Sequence, residues 1–173
     1  MMNSQFLLEK LEDSDEYRKF IEENPTAYLC SGFFIIDFDK NPENKYHLDF
    51  YVPSDKKTFS FELENGVKLI ELEREDEFVL EKVSMKNHFD FEELKEKILN
   101  EMAAKNITNK IQKMIFSLQN KEGGDVLFGT IFLSGLGLIR VDIDVGKNQI
   151  TDFEKKSLFD MMKIVKKDKF KNN

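Results

Sequence analysis

Apolar and polar positions along the chain follow two rhythms, and each change of rhythm marks an element. In SQFLLEKLEDSDEYRKFIEEN (4–24), Leu7, Leu8 and Leu11 and then Tyr17, Phe20 and Ile21 recur at helical spacing. This predicts one amphipathic helix, or two short ones with Ser14 capping the second. Asn24-Pro25 ends the segment, because a residue before proline is pushed out of helical backbone. AYLCSGFFIIDF (27–38) is apolar on both faces as far as Asp37, the mark of a strand covered on both sides and therefore central in its sheet. KYHLDFYV (45–52) alternates instead, with Tyr46, Leu48, Phe50 and Val52 on one side and Lys45, His47, Asp49 and Tyr51 on the other, so one face of that strand is wet or functional. After a turn at 53–57, TFSFEL (58–63) alternates again, and Glu64-Asn65-Gly66 reads as a hairpin turn into VKLIELE.

The second half repeats the alternation of helix and strands. Residues 71–77 are densely charged, and EFVLEKV (77–83) reads as a further strand. Asp90, three residues before Glu93, suits the cap of a helix running to about Lys105, with Phe91, Leu94, Ile98, Leu99 and Met102 as its buried stripe. Residues 106–120 carry both rhythms; the reading favoured here is a short helix passing into a strand. DVLFGTIFL (125–133) is apolar on both faces, LIRVDIDV (138–145) alternates, and Thr151 with Glu154 forms a capping box for a last helix burying Phe153, Leu158, Met161, Met162 and Val165. Helix, strands, helix, strands, helix in that order predict an α+β fold, an antiparallel sheet with amphipathic helices on one face, in a single domain over 1–173. FFIIDFDKN (33–41) and GLIRVDIDV (137–145) both run into Asp-x-Asp near a turn, which suggests two similar half-units, 1–84 and 85–173.

Composition narrows the functions open to such a fold. The chain has 173 residues, 17 Phe and no Trp, so a core of phenylalanine rings is expected and no cofactor is needed to complete it. The net charge is −7 and the arginines are Arg18, Arg74 and Arg140, which argues against a nucleic-acid partner, whose phosphates demand a basic surface. Cys30 is the single cysteine and lies in an apolar strand, where a thiol behaves as a small hydrophobe. The acidic start lacks the basic residues and apolar run of a secretory signal, and no window approaches the ~18 apolar residues of a membrane span. A cytoplasmic protein is expected on these grounds. A basic tail, Lys163, Lys166, Lys167, Lys169 and Lys171 against Asp168, closes the chain.

Three groups of residues carry candidate chemistry. Gly135-Leu136-Gly137 has the look of a phosphate loop, but the third glycine of a dinucleotide fingerprint is replaced by Arg140 and a strand follows, so a turn is expected. Asp142 and Asp144 share a strand face, as carboxylates able to hold Mg or Ca with further oxygens from elsewhere, and Asp37 with Asp39 echoes them. His47, Asp49 and Tyr51 share another strand face and, with Arg140, form the ligand-binding set. A histidine near a carboxylate and a phenol could also move protons, although i and i+2 neighbours on a strand point parallel, not at one another.

The segment IRVDIDVGKNQI resembles the closing hairpin of PepSY-type modules, a strand ending in Val-Asp, a turn containing Gly and a short strand, over residues 120–150. The resemblance implies a small α+β unit of a kind that binds or inhibits. The Lys-, Asn- and Phe-rich character of the whole is similar to that of small archaeal proteins and implies no activity. The reading as a whole is a non-enzymatic protein that binds a protein partner or a small molecule through an exposed sheet face, with homodimerisation open to it. The alternative is a divalent-metal-dependent hydrolase built on Asp37, Asp39, Asp142 and Asp144.

Overall fold

The opening helical segment is two helices, α1 (Ser4–Glu12) and α2 (Asp15–Glu23), in a computed structural model that describes residues 2–73, 79–159 and 162. Ser14 divides them: its hydroxyl donates to the Leu11 carbonyl at 2.6 Å and accepts from the Tyr17 amide at 3.2 Å, closing one helix and capping the next. Asp90 caps α3 (Phe91–Ala104) as its spacing predicts, accepting from the amides of Glu92 and Glu93. The strands are β1 (Tyr28–Asp37), β2 (Lys45–Val52), β3 (Lys57–Glu62), β4 (Lys68–Leu72), β5 (Ile111–Lys121), β6 (Gly124–Leu133), β7 (Gly137–Asp144) and β8 (Gln149–Ser157). They form one antiparallel sheet in the order β4-β3-β2-β1-β5-β6-β7-β8. Among the described residues the protein is therefore three helices and an eight-stranded antiparallel sheet, an α+β fold. Each half is a helical segment followed by a four-strand meander, and β1 and β5 lie side by side at the centre.

Three local expectations are corrected. The last helix does not start at Thr151; residues 149–157 are β8, paired with β7, because the turn after Asp144 sends the chain straight back onto an open strand edge. A strand's worth of ladder hydrogen bonds outweighs one local capping box. Among the described residues helical backbone appears at Leu158, Phe159 and Met162, and Met162 is exposed, not buried; Met161 and Val165, and the basic tail, lie outside the described residues. Between α3 and β5 there is no short helix: Met114, Phe116 and Leu118 are buried at every second position, so the period-2 rhythm wins. The strand expected over 77–83 is irregular chain where it is described, from Val79 on, while Arg74 and its neighbours to Phe78 lie outside.

All three helices cover one face of the sheet. Phe20 of α2 sets its ring edge-on to Phe59 and Phe61 at centroid distances of 5.4 and 5.2 Å. Phe91 of α3 packs on Phe34 and Tyr46 at 5.3 and 5.8 Å. Burying each such ring contributes roughly 2–3 kcal/mol, so this face holds the fold together. Gly129 makes the contact between strands possible: a Cβ there would stand 2.7 Å from Val141 and 2.8 Å from the Phe116 ring. Among the described residues no helix is long and apolar enough to cross a membrane.

Among the described residues the other face is uncovered except where the chain crosses it. Leaving β4, the chain returns with Leu80, whose carbonyl accepts from the Tyr28 hydroxyl at 3.0 Å. It then runs past the sheet end, where the Val83 amide donates to the Leu29 carbonyl at 2.9 Å. Asp125 anchors this passage by accepting from the Ser84 amide, the Ser84 hydroxyl and the Met85 amide at 3.0, 2.9 and 2.9 Å.

Candidate functional site

The register of β1, β2 and β3 places side chains of the uncovered face in rows. Ser31, Asp49 and Ser60 form one row, Phe33, His47 and Glu62 the next, and Tyr28, Tyr51 and Thr58 the row on the other side. The Ser31 row is sealed despite lying on the uncovered face: Ser31, Asp49 and Ser60 are 4%, 7% and 1% exposed. The cause is the returning chain, whose Leu80 joins Leu72 at the edge of a cavity of about 310 Å³ with these three residues in its wall. Ser117 and Gln119 of β5 complete the polar side, and Phe33 the aromatic one.

Within this cavity the Ser31 hydroxyl donates to Asp49 Oδ2 at 2.8 Å. The Gln119 side-chain nitrogen donates to the Ser117 hydroxyl at 3.1 Å. Ser60 Oγ is buried and has no hydrogen-bond partner among the described residues. Folded proteins rarely leave a buried hydroxyl unsatisfied, since the desolvation costs about 1–3 kcal/mol. A buried carboxylate and an unpaired hydroxyl facing each other across two strands are groups set to receive hydrogen bonds.

The residues named by sequence patterning divide between several environments. His47 shares the wall of this cavity with Asp49, and its Nε2 lies 3.2 Å from Glu64 Oε1 at the rim. Glu64 Oε2 accepts from the Tyr46 amide at 3.2 Å. Burial alone would raise the Glu64 carboxyl; backbone hydrogen bonds, the Tyr46 amide among them, with the bond from His47 and its attraction, outweigh it and hold the pKa below its ordinary value. His47, Glu62 and Glu64 bring their ligand atoms within 4.8 Å of one another, the group among the described residues that could hold a divalent cation. One nitrogen and two carboxylates suit a transition metal better than Mg or Ca, which favour all-oxygen shells. Tyr51 stacks against Tyr28 with ring centroids 5.7 Å apart. Arg140 is exposed on β7, four strands from β2, or about 19 Å at ~4.8 Å per strand. It does not join His47, Asp49 and Tyr51.

The two Asp-x-Asp pairs do not converge. Register places Asp37 level with Lys113, Phe132 and Leu138; Asp144 lies six residues beyond Leu138, about 20 Å along the strand at ~3.3 Å per residue. Each pair holds its own turn. Asp37 accepts from the amides of Asp39 and Glu43 at 3.1 and 3.3 Å, and these bonds, with Lys113 nearby, keep its carboxyl below the usual range. Asp39 accepts from the Lys40 amide, and Asp144 from the Lys147 amide at 2.9 Å. Asp142 faces Asp152 across the β7–β8 ladder. Asp37 and Asp39 also border a larger depression of about 690 Å³ with Lys110 and Lys113, but their carboxylates are already committed to backbone amides. Gly135-Leu136-Gly137 is a tight turn with Gly135 at φ 74°, as its sequence suggests.

Patterning named Asp49 but missed Ser31, Ser60 and Ser117. The available signal was one serine between apolar neighbours in each of three strands, CSGF, FSF and FSL; only the register shows that all three border one cavity.

No family model and no curated protein matches the chain. Among solved structures, the crystal structure of a "putative lipoprotein" from Clostridium difficile 630 is similar at 15% identity, covering 82% of this chain and 91% of that one, with a TM-score of 0.49. A likeness that remote says nothing of ligand or chemistry. The PepSY resemblance is not confirmed; what stands is the α+β fold, with a β7–β8 hairpin where the resemblance lay. The expectation of a cytoplasmic protein is withdrawn as well, since the solved structure it resembles is titled a "putative lipoprotein".

Proposed function

We propose that the protein is a binding protein, not an enzyme, and that it takes a small polar ligand into the cavity over Asp49 on the uncovered face of its sheet. The observation that carries this reading is the pair formed by the buried Asp49 carboxylate and the unpartnered Ser60 hydroxyl in the wall of a cavity of about 310 Å³. Ligand sites combine apolar walls with a few placed polar groups, and Phe33, Leu72 and Leu80 supply the walls. Binding is favoured over catalysis because the Ser31 hydroxyl is bonded to Asp49 and the Ser60 hydroxyl has no partner among the described residues, so neither is joined to a histidine. A serine nucleophile needs its base within hydrogen-bond reach.

The test is a saturation-transfer NMR screen of small polar fragments against the wild type and Ser117→Leu, which puts a branched side chain into the cavity. Hits on the wild type that vanish in the folded variant support the reading. Hits that persist unchanged, or a screen with none, contradict it.

A divalent cation at His47, Glu62 and Glu64 is the second reading, favoured by their convergence. It predicts that Zn²⁺ raises the melting temperature of the wild type and leaves His47→Ala unmoved, since a ligand specific to the folded state stabilises it.

A further inference from the structure

We propose that the cavity over Asp49 takes a small organic cation, a primary ammonium on a short alkyl chain, with Asp49 as its counter-charge. This rests on the reading of the cavity as a ligand site and adds the ligand's class. Among the described residues that line it there is no Lys or Arg, and the one histidine, His47, is engaged by Glu64. The fixed charge they place in the cavity wall is the Asp49 carboxylate, with hydroxyl and amide oxygens around it that can accept. Ser31 has given its hydroxyl hydrogen to Asp49 and meets the Cys30 thiol at 3.9 Å, so an oxygen lone pair remains. Gln119 has committed one N–H to Ser117, which leaves its carbonyl as an acceptor beside its second N–H. Ser60 has no partner among the described residues.

The count of bonds fits one ligand head group. An ammonium carries three donors and no acceptor. Asp49 in the middle strand, with Ser31 and Ser60 directly opposite on either side, supplies three oxygens on neighbouring strands. An anionic ligand would bring like charge against a carboxylate that is 7% exposed. A neutral ligand would leave that carboxylate without a counter-charge in a poorly solvated place, which is costly. A cation meets both conditions. The Phe33 ring, 36% exposed, lies in the cavity wall, and an aromatic ring is a partner for a positive charge, while Leu72 and Leu80 receive the alkyl chain. At about 310 Å³ the cavity lies at the small end of ligand sites, which run to about 1,000 Å³, so the chain is a few carbons long.

The experiment is a titration of the full chain with n-butylammonium chloride followed in ¹H–¹⁵N spectra, with n-butanol and sodium butyrate as the neutral and anionic probes of the same size. The expected result is saturable one-to-one shifts at the amides of Ser31, Asp49 and Ser60, with n-butylammonium binding about tenfold or more tightly than either comparator. Asp49→Asn should weaken it about tenfold or more, by loss of a charge-assisted bond, and Ser60→Ala a few-fold in an otherwise unchanged spectrum. Arg74 lies outside the described residues, and Arg74→Ala should leave the affinity as it is; a marked gain would mean that the chain supplies its own counter-charge and would overturn the proposal. Should butanol or butyrate shift the same amides as strongly, or Asp49→Asn bind undiminished, the cation is wrong while the cavity remains a site. Should no probe shift them, the ligand-site reading falls with it. If Asp49→Asn fails to fold, the wild type's preference among the three probes and the Ser60→Ala affinity decide.

Discussion

Asp49 and Asp125 are buried to nearly the same degree, 7% and 8% exposed, and their surroundings make opposite use of them. Asp125 accepts three hydrogen bonds from Ser84 and Met85 and ties the chain between β4 and α3 to the end of the β5–β6 hairpin. Asp49 accepts one, from Ser31, and borders a cavity. Burial therefore does not separate a structural carboxylate from an available one; the count of donors already committed to it does. A saturated carboxylate can be removed only at the expense of the fold, whereas an unsaturated one has bonding capacity left for a ligand.

The largest effect expected from this contrast is at Asp125. Asp125→Ala strands the buried Met85 amide and releases the amide and hydroxyl of the exposed Ser84, and should destabilise the protein by about 3–5 kcal/mol in chemical denaturation, since bonds to a charged acceptor contribute about 1.5–3 kcal/mol each. A loss below about 1 kcal/mol would erase the distinction drawn here. Asp49→Asn is next: the amide oxygen keeps the Ser31 bond, so the same measurement should register a change of about 1 kcal/mol or less.

The fold was largely legible from periodicity, because the features that specify it are local. Ser14 and Asp90 announce their helices through side-chain oxygens that reach amides two or three residues on, and Tyr46, Leu48 and Phe50 announce a strand by alternation. The strand β8 was hidden because Thr151 and Glu154 satisfy a local helix rule while the ladder that overrides it comes from β7. The site was half legible. Alternation placed His47, Asp49 and Tyr51 on one face, but what separates them comes from other segments: Glu64 takes His47, Tyr28 takes Tyr51, and Leu80 closes over Asp49. Arg140 and the Asp-x-Asp pairs were grouped by sequence spacing, and strand order then set them apart.

Two smaller effects sharpen the contrast. Glu64 belongs to the rim, and its pKa is lowered in the folded state from an ordinary value of 4.5. A lowered carboxyl pKa stabilises the fold above the ordinary value, and that contribution is lost as pH falls through the folded value. Glu64→Gln should flatten this part of the acid side of the stability profile while changing neutral stability by less than about 1 kcal/mol, as thermal melts between neutral pH and the acid limb would record. The smallest effect is Ser60→Ala. Removing a hydroxyl without a partner should leave stability within about 0.5 kcal/mol of the wild type or slightly above it, and a clear loss in denaturant titration would mean that Ser60 is satisfied after all.

The most direct measurement takes Asp49→Asn and Asp125→Asn side by side and determines, for each, the unfolding free energy and the affinity for n-butylammonium. The account predicts opposite outcomes: Asp49→Asn keeps its stability and loses the ligand, while Asp125→Asn loses stability and, where folded, binds like the wild type. Equal destabilisation by the two substitutions, with ligand affinity unchanged at Asp49→Asn, would contradict it.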